Sequence, residues 1–364
     1  SGILHKTKSD SGQAPIEAKL RTGQAGMTNY SGVMSLCIVA FIISLFTVCC
    51  LLSADASADT IRVLILDEDS PRVPAKNEPL EKVSKKIKGD FLVSGVHYTG
   101  EIEVWKGKNG LYVVNEIPFE EYVKSVVMAE VGTNWEMEAL KAQAVISRTY
   151  AIYQKNMNGN LHYHITSSVL HQVYKGNFSD DRIAQAVEKT SGEILTFSGK
   201  PVEALYHSTS GGKTELPEEV FGKSYPYIKS VETNSEASPY WIWERKILFS
   251  EIEKALNITG FKDMTVKSYT STGRVKEVIV TSASGEHTIK SNDLRKQLGW
   301  QRLPSTNFTM TKLADSIIFE GKGYGHGTGL CQWSALEMAK KGKNYKEILS
   351  FFYPGTEIQL YEGR

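Results

Sequence analysis

Apolar residues recur at helical spacing between Ile117 and Lys155, and this pattern predicts two helices joined by a hinge. Pro118 suits the first turn of the first helix, because a first-turn N–H has no acceptor within the helix. Gly132 suits the left-handed residue that ends a helix, so we expect the first helix to run to about Val131.

The second helix of this pair carries its own start signal. Thr133 and Glu136 form a capping-box pattern, which predicts a start at Asn134 or Trp135. Polar residues also form a stripe at helical spacing, consisting of Gln143, Ser147, Tyr150 and Gln154. Such a stripe is either a solvated face or the lining of a cleft, and the sequence leaves both interpretations open.

Glu130 is an acid on an apolar stripe. Val123 and Val127 precede it at i−7 and i−3 on the first helix, and Val126 precedes it by four residues. Burial and the negative end of the helix dipole both disfavour a charged carboxylate here, so we expect the pKa of Glu130 to be raised. A protonated carboxyl group can act as a general acid. The alternative is that Glu130 reaches the helix edge or pairs with a buried arginine such as Arg148.

The remaining pattern predicts an α+β fold of mixed sheet and helix. Alternating segments between Thr60 and Asn115 predict strands, and they are TIRVLIL, FLVSGVHY, EIEVWK and LYVVNE. Residues 238–311 read as strand, helix, hairpin and short helix, which indicates an inserted small α+β subdomain. We therefore predict a catalytic core formed by residues 59–237 and 312–364, interrupted by this insert.

A glycine-rich loop, GKGYGHGTG, follows the insert and matches neither a Walker loop nor a dinucleotide-binding fingerprint. If the loop is extended, one face has no side chains and can pack closely against a neighbour. The opposite face would present Lys322, Tyr324, His326 and Thr328.

A second polar segment, YHSTSGGKTE, contains His207, Ser208 and Ser210 before paired glycines. We expect these side chains to offer hydrogen bonds to a ligand that the glycines allow to approach closely. A serine hydrolase is the alternative, but the exported region has no G-x-S-x-G elbow and no acid placed to orient His207.

The N-terminal part predicts export. Residues 1–32 form a polar extension in which Met27 is a plausible native start, and residues 33–53 are an uncharged apolar segment long enough to span a bilayer. SADASAD then resembles a signal cleavage site, so we expect a retained membrane anchor, or a secreted protein if the segment is cleaved. In both cases the catalytic part lies outside the cytoplasm, where Cys331 is its only cysteine, and we expect that residue to be buried.

Composition narrows the functional classes. The 364 residues are 23% charged and 41% hydrophobic, enough for one large core or two modest ones, and the net charge of +1 gives no reason to expect nucleic-acid binding.

Four motifs in order resemble the stage II sporulation protein D family of peptidoglycan lytic transglycosylases, whose wider family includes amidase enhancers. They are YVKSVVMAEVGTNWEMEALKAQAVISRTYA, HQVYKG, YHSTSGGKTE and GKGYGHGTGLCQWSALEMAKKG. The resemblance covers about Asp59 to the C-terminus, and the family's catalytic acid falls on Glu130. It implies cleavage of the MurNAc-GlcNAc backbone of denuded strands at the sporulation septum, with anhydro products, beside a membrane-anchored amidase.

The histidines His162, His164 and His171, with His207 further on, raise the question of a zinc site. Some members of the resembled family carry a zinc site of Cys and His just before the Q-x-Y-x-G element. Here Ile165 and His171 stand where those cysteines would be, and Leu170 replaces the histidine. We therefore predict a metal-free member that needs no cofactor.

Hydrolytic glycosidases use two carboxylates, whereas a lytic transglycosylase can use one acid for both proton transfers. We expect Glu130 to be that acid, although Glu215 is a candidate second carboxylate. The residues expected to organise Glu130 are Gln143, Arg148 and Gln172. The residues expected to position the glycan are Tyr174, His207, Ser208, Ser210, Tyr324 and His326. A non-catalytic amidase enhancer and a serine amidase are the competing interpretations.

Overall fold

The structure is a computed structural model of the chain, and it describes residues 59–66, 73–75, 78–168, 171–177 and 180–361. The polar extension at 1–32 and the apolar segment at 33–53 lie outside those residues. Within the described ranges, no helix is both long and apolar enough to cross a membrane. These ranges fold into helices and several sheets, so the predicted mixture of α and β structure is confirmed.

The largest sheet is formed by the predicted N-terminal strands. Its strands are β1 (Thr60–Ile65), β2 (Glu81–Lys82), β3 (Ile87–Val93), β4 (Val96–Gly107), β5 (Gly110–Pro118) and β6 (Ile165–Thr166). The order is β2-β4-β5-β1-β6, with β3 paired to β4, and only β1 and β6 run parallel among these pairs. One correction concerns FLVSGVHY, which is a hairpin because Ser94 and Gly95 both take positive φ and turn the chain.

The predicted helix pair is confirmed as α1 (Phe119–Val131) and α2 (Met137–Asn158), with Gly132 at a φ of 75° between them. The predicted capping box is wrong. No side-chain cap forms at the start of α2, because residues 133–135 bend outside the helix. Contacts with distant residues oppose a helical path for this segment: the Trp135 carbonyl accepts from Arg182, and its ring packs against Trp333 at 5.4 Å.

The first core is the apolar cluster that surrounds α2. Around it lie α1, β1 and three further helices, which are α3 (Asp181–Glu188), α7 (Gln332–Lys340) and α8 (Tyr345–Phe352). Because α2 is enclosed by these elements, its polar stripe is buried. Gln143, Ser147, Tyr150 and Gln154 are all at most 9% exposed, so the stripe is not a solvated face.

Two small sheets complete this part of the molecule. The first is β17-β7-β8, made of β7 (Glu193–Phe197), β8 (Lys200–Pro201) and β17 (Glu357–Leu360). The second pairs β9 (Tyr206–His207) in parallel with β16 (Leu330–Cys331). This short pair brings the YHSTSGG segment, which leads into α4 (Pro217–Phe221), beside the end of the glycine loop.

The insert has a second core of its own, running from Trp243 to Phe319. It contains β10 (Trp243–Leu248), α5 (Phe249–Leu256), β11 (Asp263–Tyr269), β12 (Val275–Ser282), β13 (Gly285–Lys290), α6 (Ser291–Leu298), β14 (Phe308–Lys312) and β15 (Ser316–Gly321). The predicted strand, helix and hairpin are confirmed. β15 lies past the predicted boundary at residue 311 and pairs between β10 and β14.

Candidate active site

Glu130 lies in the last turn of α1, as the apolar pattern predicts. Val123, Val126 and Val127 of the same helix are fully buried, and Glu130 is half-buried. The helix ends one residue later, so the side chain lies at the boundary between the first core and the surface.

Among the described residues, three groups donate hydrogen bonds to the Glu130 carboxylate. The backbone N–H of Val173 donates to Oε1 at 3.0 Å, and the Tyr206 hydroxyl donates to Oε1 at 3.2 Å. The amide nitrogen of Gln332 donates to Oε2 at 3.3 Å. The two carboxylate oxygens therefore have different surroundings.

Burial raises the pKa of Glu130, and the hydrogen bonds from Val173, Gln332 and Tyr206 lower it by less. The net effect is an acid that keeps its proton to a higher pH than an exposed glutamate does. The predicted rise is confirmed.

Sequence reasoning missed Tyr206 and Gln332. Tyr206 lies on β9, and Gln332 is the first residue of α7, directly after β16. Because β9 and β16 pair, these residues converge on Glu130 from positions 76 and 202 residues away. Their position in the sequence could have identified them, since each directly adjoins a residue that the sequence analysis singled out. Tyr206 precedes His207, and Gln332 follows Cys331.

Gln143 and Gln172 were expected to organise Glu130, and the structure places both one step away from it. Gln143 accepts from the Gln332 amide at 3.3 Å, and the Gln172 amide donates to the Tyr206 hydroxyl at 3.2 Å. Both side chains are buried, so they are placed to orient the groups that contact Glu130 and not a substrate.

Arg148 does not contact Glu130, which corrects both interpretations of this arginine. Its guanidinium forms a bidentate pair with Glu120, with Nε to Oε1 at 2.8 Å and Nη2 to Oε2 at 2.7 Å. The remaining bonds go to the carbonyls of Glu193 and Val187. The two glutamates lie at opposite ends of α1, and α2 crosses so that Arg148 meets the first one. Arg148 therefore holds elements together and does not organise Glu130.

Tyr174 also lies inside the fold, which corrects its predicted role in positioning a glycan. It is 2% exposed, its hydroxyl donates to Asn115 Oδ1 at 2.7 Å, and its ring packs against Tyr122 at 5.3 Å. These contacts anchor the segment that carries Val173, whose N–H donates to Glu130.

The glycine loop is not extended, which corrects the predicted single face. Its glycines at 323, 325, 327 and 329 all take positive φ, so the chain changes direction repeatedly. The prediction of close packing is confirmed. A Cβ on Gly323 would lie 2.6 Å from the Thr209 carbonyl oxygen, and a Cβ on Gly329 would overlap the Leu205 carbonyl oxygen. Thr328 is fully buried, so it is not on a presented face.

Two histidines meet where this loop crosses β9. His207 is buried, its Nδ1 donates to the Thr328 carbonyl at 3.1 Å, and its ring lies 5.6 Å from that of His326. Burial lowers the pKa of His207 well below its usual range. Burial and the charge of Arg295 lower the pKa of His326 to about 4. Both rings are therefore neutral near pH 7, and the loop residues Tyr324 and His326 are half-buried.

The serines of YHSTSGG are engaged within the fold. Ser208 shares a hydrogen bond with Thr209 at 3.2 Å and is half-buried. Ser210 is fully buried and bonds to Thr233 at 2.5 Å, which corrects its predicted contact with a ligand. None of these hydrogen bonds joins a serine to His207, so the geometry gives the serine-amidase interpretation no support.

Glu215 is fully engaged as well. Its carboxylate accepts from the Leu216 N–H at 2.7 Å and from the hydroxyls of Thr270 and Thr272 at 2.7 and 2.6 Å, while Arg274 lies 3.9 Å away. At 1% exposure it joins the first core region to the insert and is not a free second carboxylate.

The histidines near the Q-x-Y-x-G element have separate partners. His162 stacks on Trp105 at 3.9 Å, His164 accepts from the Arg62 N–H at 3.1 Å, and His171 accepts from the Thr166 N–H at 3.2 Å. In the part of the chain that the structure describes, no group of three His, Cys, Asp or Glu residues is arranged to hold a metal. Cys331 is buried, as predicted, with its sulfur 3.3 Å from the Ser210 N–H.

Comparison with known proteins places the chain in a family. The family model described as "Stage II sporulation protein" matches residues 107–197, which include α1 and α2, and a model for a domain of unknown function matches residues 225–329. The chain is 32% identical over 310 residues to stage II sporulation protein D of Bacillus subtilis, covering 80% of this chain and 85% of that protein.

Two further relatives widen the comparison. An uncharacterized protein of Brachyspira hyodysenteriae is 35% identical over 284 residues, covering 74% of both chains. The amidase enhancer of Bacillus subtilis is 30% identical over 290 residues, covering 66% of this chain and 40% of the enhancer. The fold and site define an α+β protein with a half-buried glutamate of raised pKa at the edge of a helical core. The chain belongs to the stage II sporulation protein D (SpoIID) family.

Proposed function

We propose that the protein is a lytic transglycosylase that cleaves the MurNAc-GlcNAc backbone of peptidoglycan during sporulation. The observation that carries the proposal is Glu130, a half-buried carboxyl group with a raised pKa at the end of α1. The names of the related sporulation proteins support the biological setting.

The proposed reaction uses one carboxyl group twice. The protonated Glu130 gives its proton to the glycosidic oxygen as the bond from C1 of MurNAc to that oxygen breaks. The resulting carboxylate then removes the proton from the 6-hydroxyl of the same MurNAc, and the 6-oxygen bonds to C1. The proton count is restored, no water is consumed, and the product carries a 1,6-anhydro ring.

The contacts of Glu215 support a single acid over a hydrolytic pair. A hydrolytic pair needs a second carboxylate about 5 to 10 Å from the first. The candidate from the sequence, Glu215, is buried under hydrogen bonds from Leu216, Thr270 and Thr272. His326 and Tyr324 remain as the neutral polar side chains that would position the glycan.

The proposal extends to the cellular setting. Denuded glycan strands are the proposed substrate, and a membrane-anchored wall amidase is the proposed partner. The apolar segment at 33–53 would hold the protein at the cell membrane with its catalytic part outside the cytoplasm.

Mass spectrometry of denuded glycan strands incubated with the protein tests the reaction, with Glu130→Gln as the matched variant. We expect anhydro-muramyl ends from the wild type alone. Reducing ends would instead mean hydrolysis with a second carboxylate, and equal products from both proteins would overturn the role of Glu130.

A second candidate function is a non-catalytic amidase enhancer, and the 30% identity to the Bacillus subtilis amidase enhancer favours it. An enhancer would bind wall or amidase and cleave nothing. It predicts that the wild type and Glu130→Gln proteins both accelerate an added wall amidase and that neither releases anhydro products.

A further inference from the structure

Two chains of hydrogen bonds reach Glu130, and both start at Ser147. This residue lies in the middle of α2 and is fully buried. Its carbonyl oxygen accepts from the Gln172 amide at 3.3 Å, and its hydroxyl accepts from the Gln143 amide at 3.1 Å. One residue therefore anchors both chains through different atoms.

The first chain runs through Gln172 and Tyr206, and its direction is fixed by chemistry. A carbonyl only accepts, so the Gln172 atom that faces Ser147 and Tyr206 must be the amide nitrogen. Its amide oxygen then accepts from the Tyr122 hydroxyl at 3.0 Å. Since the Tyr206 oxygen accepts from Gln172 at 3.2 Å, its one proton points to Oε1 of Glu130.

The second chain runs through Gln143 and Gln332. Gln143 donates to Ser147 through its amide nitrogen, so its amide oxygen faces Gln332. The Gln332 amide nitrogen has two protons and gives one to Gln143 and the other to Oε2 of Glu130, both at 3.3 Å. The donors of both chains thus end on the same carboxyl group, one chain on each oxygen.

The two oxygens of Glu130 are therefore unequal. Oε1 accepts from the Val173 N–H and the Tyr206 hydroxyl, which occupy both of its lone pairs. Oε2 accepts a single, longer bond from Gln332, which leaves a lone pair for a proton. We propose that Tyr206 and Gln332 are positioning residues that place the transferable proton on Oε2, so that this one oxygen performs both transfers. This inference rests on the proposed transglycosylase function.

The arrangement also suits the carboxylate form of Glu130 that the first proton transfer leaves. When the O–H bond at Oε2 breaks and the proton joins the leaving glycosidic oxygen, negative charge develops at Oε2. The Gln332 bond then becomes charge-assisted and stronger, and Gln143 already holds that amide in place. Oε2 keeps a free lone pair to accept the proton of the 6-hydroxyl.

A direct titration of Glu130 tests the proposal without requiring catalysis. The protein is labelled with ¹³C at the glutamate side-chain carboxyl carbon, and the Glu130 signal is the one lost in Glu130→Gln. Since the Tyr206 and Gln332 bonds lower the pKa of Glu130, Tyr206→Phe and Gln332→Met should each move the titration to higher pH. Tyr150→Phe, which removes another buried hydroxyl from the first core without touching Glu130, should not move it.

The pH dependence of glycan cleavage gives the second readout. The reaction starts from protonated Glu130, so the rate falls as the pH rises through its pKa. Both variants should move this falling limb to higher pH and reduce kcat about tenfold, with KM little changed. A merely structural role would lower the rate without moving the limb.

The outcomes separate this inference from the proposed function. Folded Tyr206→Phe and Gln332→Met proteins with an unchanged Glu130 titration would overturn it. If the titrations move but the wild type makes no anhydro product, the reaction is wrong and the positioning roles stand. If Tyr206→Phe fails to fold, Gln332→Met tests the same claim from the other oxygen. Ser147→Ala removes only the hydroxyl and should produce a smaller shift through Gln143.

Discussion

The first core and the insert use their buried polar groups differently. In the first core, Gln143, Gln172 and Ser147 direct hydrogen-bond donors at a single carboxyl group. In the insert, the buried guanidinium of Arg295 donates to the carbonyls of Leu303 and Pro304 at 2.9 and 2.6 Å. The three side chains of the first core organise a titratable group, whereas Arg295 fixes backbone, as Arg148 also does in the first core.

The insert also reaches across to the site. Arg274, in the turn between β11 and β12, donates to the carbonyls of Ser210 at 2.5 Å and Lys213 at 3.2 Å. The Gly323 N–H donates to the Tyr240 carbonyl at 2.8 Å, which ties the glycine loop to the start of the insert. The comparison teaches that changes beside Glu130 should affect chemistry, whereas changes at the junction with the insert should affect stability.

The largest expected effect is that of Glu130→Gln on glycan cleavage. Glutamine keeps the shape but cannot donate the proton, so we expect a loss of more than about a thousandfold with the unfolding midpoint little changed. The matched control is Glu215→Gln, which weakens the bonds to Thr270 and Thr272 at the junction. That variant should be less stable and still cleave. If Glu215→Gln abolished cleavage at full stability, the comparison between the two regions would fail.

Gly329→Ala should produce the largest loss of stability. A Cβ there overlaps the Leu205 carbonyl oxygen, and φ is 73°, so we expect about 3 kcal/mol or more. Gly342→Ala is the control, because its φ of 84° is similar but a Cβ would meet nothing within 4 Å. We expect about 1 kcal/mol there. Urea unfolding of both variants measures the difference, and equal losses would mean that close packing of the loop does not matter.

Arg148→Met should have a smaller effect, of about 2 kcal/mol on the free energy of unfolding. Removing one partner of a fully buried ion pair usually lowers the free energy of unfolding by more than this. Here Glu120 is 36% exposed, so water can hydrate it once Arg148 is gone. Because Arg148 does not contact Glu130, the kcat of the folded variant should stay near that of the wild type. A large drop in kcat at unchanged KM would restore the role in catalysis that the sequence suggested for this arginine.

The sequence predicted the parts of the site that local pattern controls. The spacing of Val123, Val127 and Glu130 depends only on one helix, so the partial burial and the raised pKa of Glu130 could be predicted from it, while its catalytic role stays a prediction. The choice between Glu120 and Glu130 as the partner of Arg148 depends on how two helices cross, and no local pattern carries that information.

Long-range pairing explains what was missed. Tyr206 and Gln332 reach Glu130 through a strand pair only two residues long, too short to leave a periodic signal. The predicted conformation of the glycine loop was wrong for another reason. Alternation of glycine with larger residues suggests a strand, but glycine at every second position also permits repeated positive φ. The contacts with Leu205 and Thr209 decide between these two conformations.

The smallest expected effect contrasts the two kinds of buried titratable group through the pH dependence of stability. The raised pKa of Glu130 means that the folded protein holds this proton more tightly than the unfolded chain. Its contribution to stability is therefore present below the ordinary pKa of 4.5 and is lost as the pH rises through the folded value.

The contribution of His326 to stability changes with pH in the opposite direction. Its pKa of about 4 lies below the usual 6.5, so its contribution is present above pH 6.5 and is lost as the pH falls towards 4. Urea unfolding from pH 4 to 7.5 should thus show Glu130→Gln gaining on the wild type as the pH rises and His326→Gln gaining as it falls. Slopes of the same sign would mean that one of the two groups does not carry the charge state assigned to it.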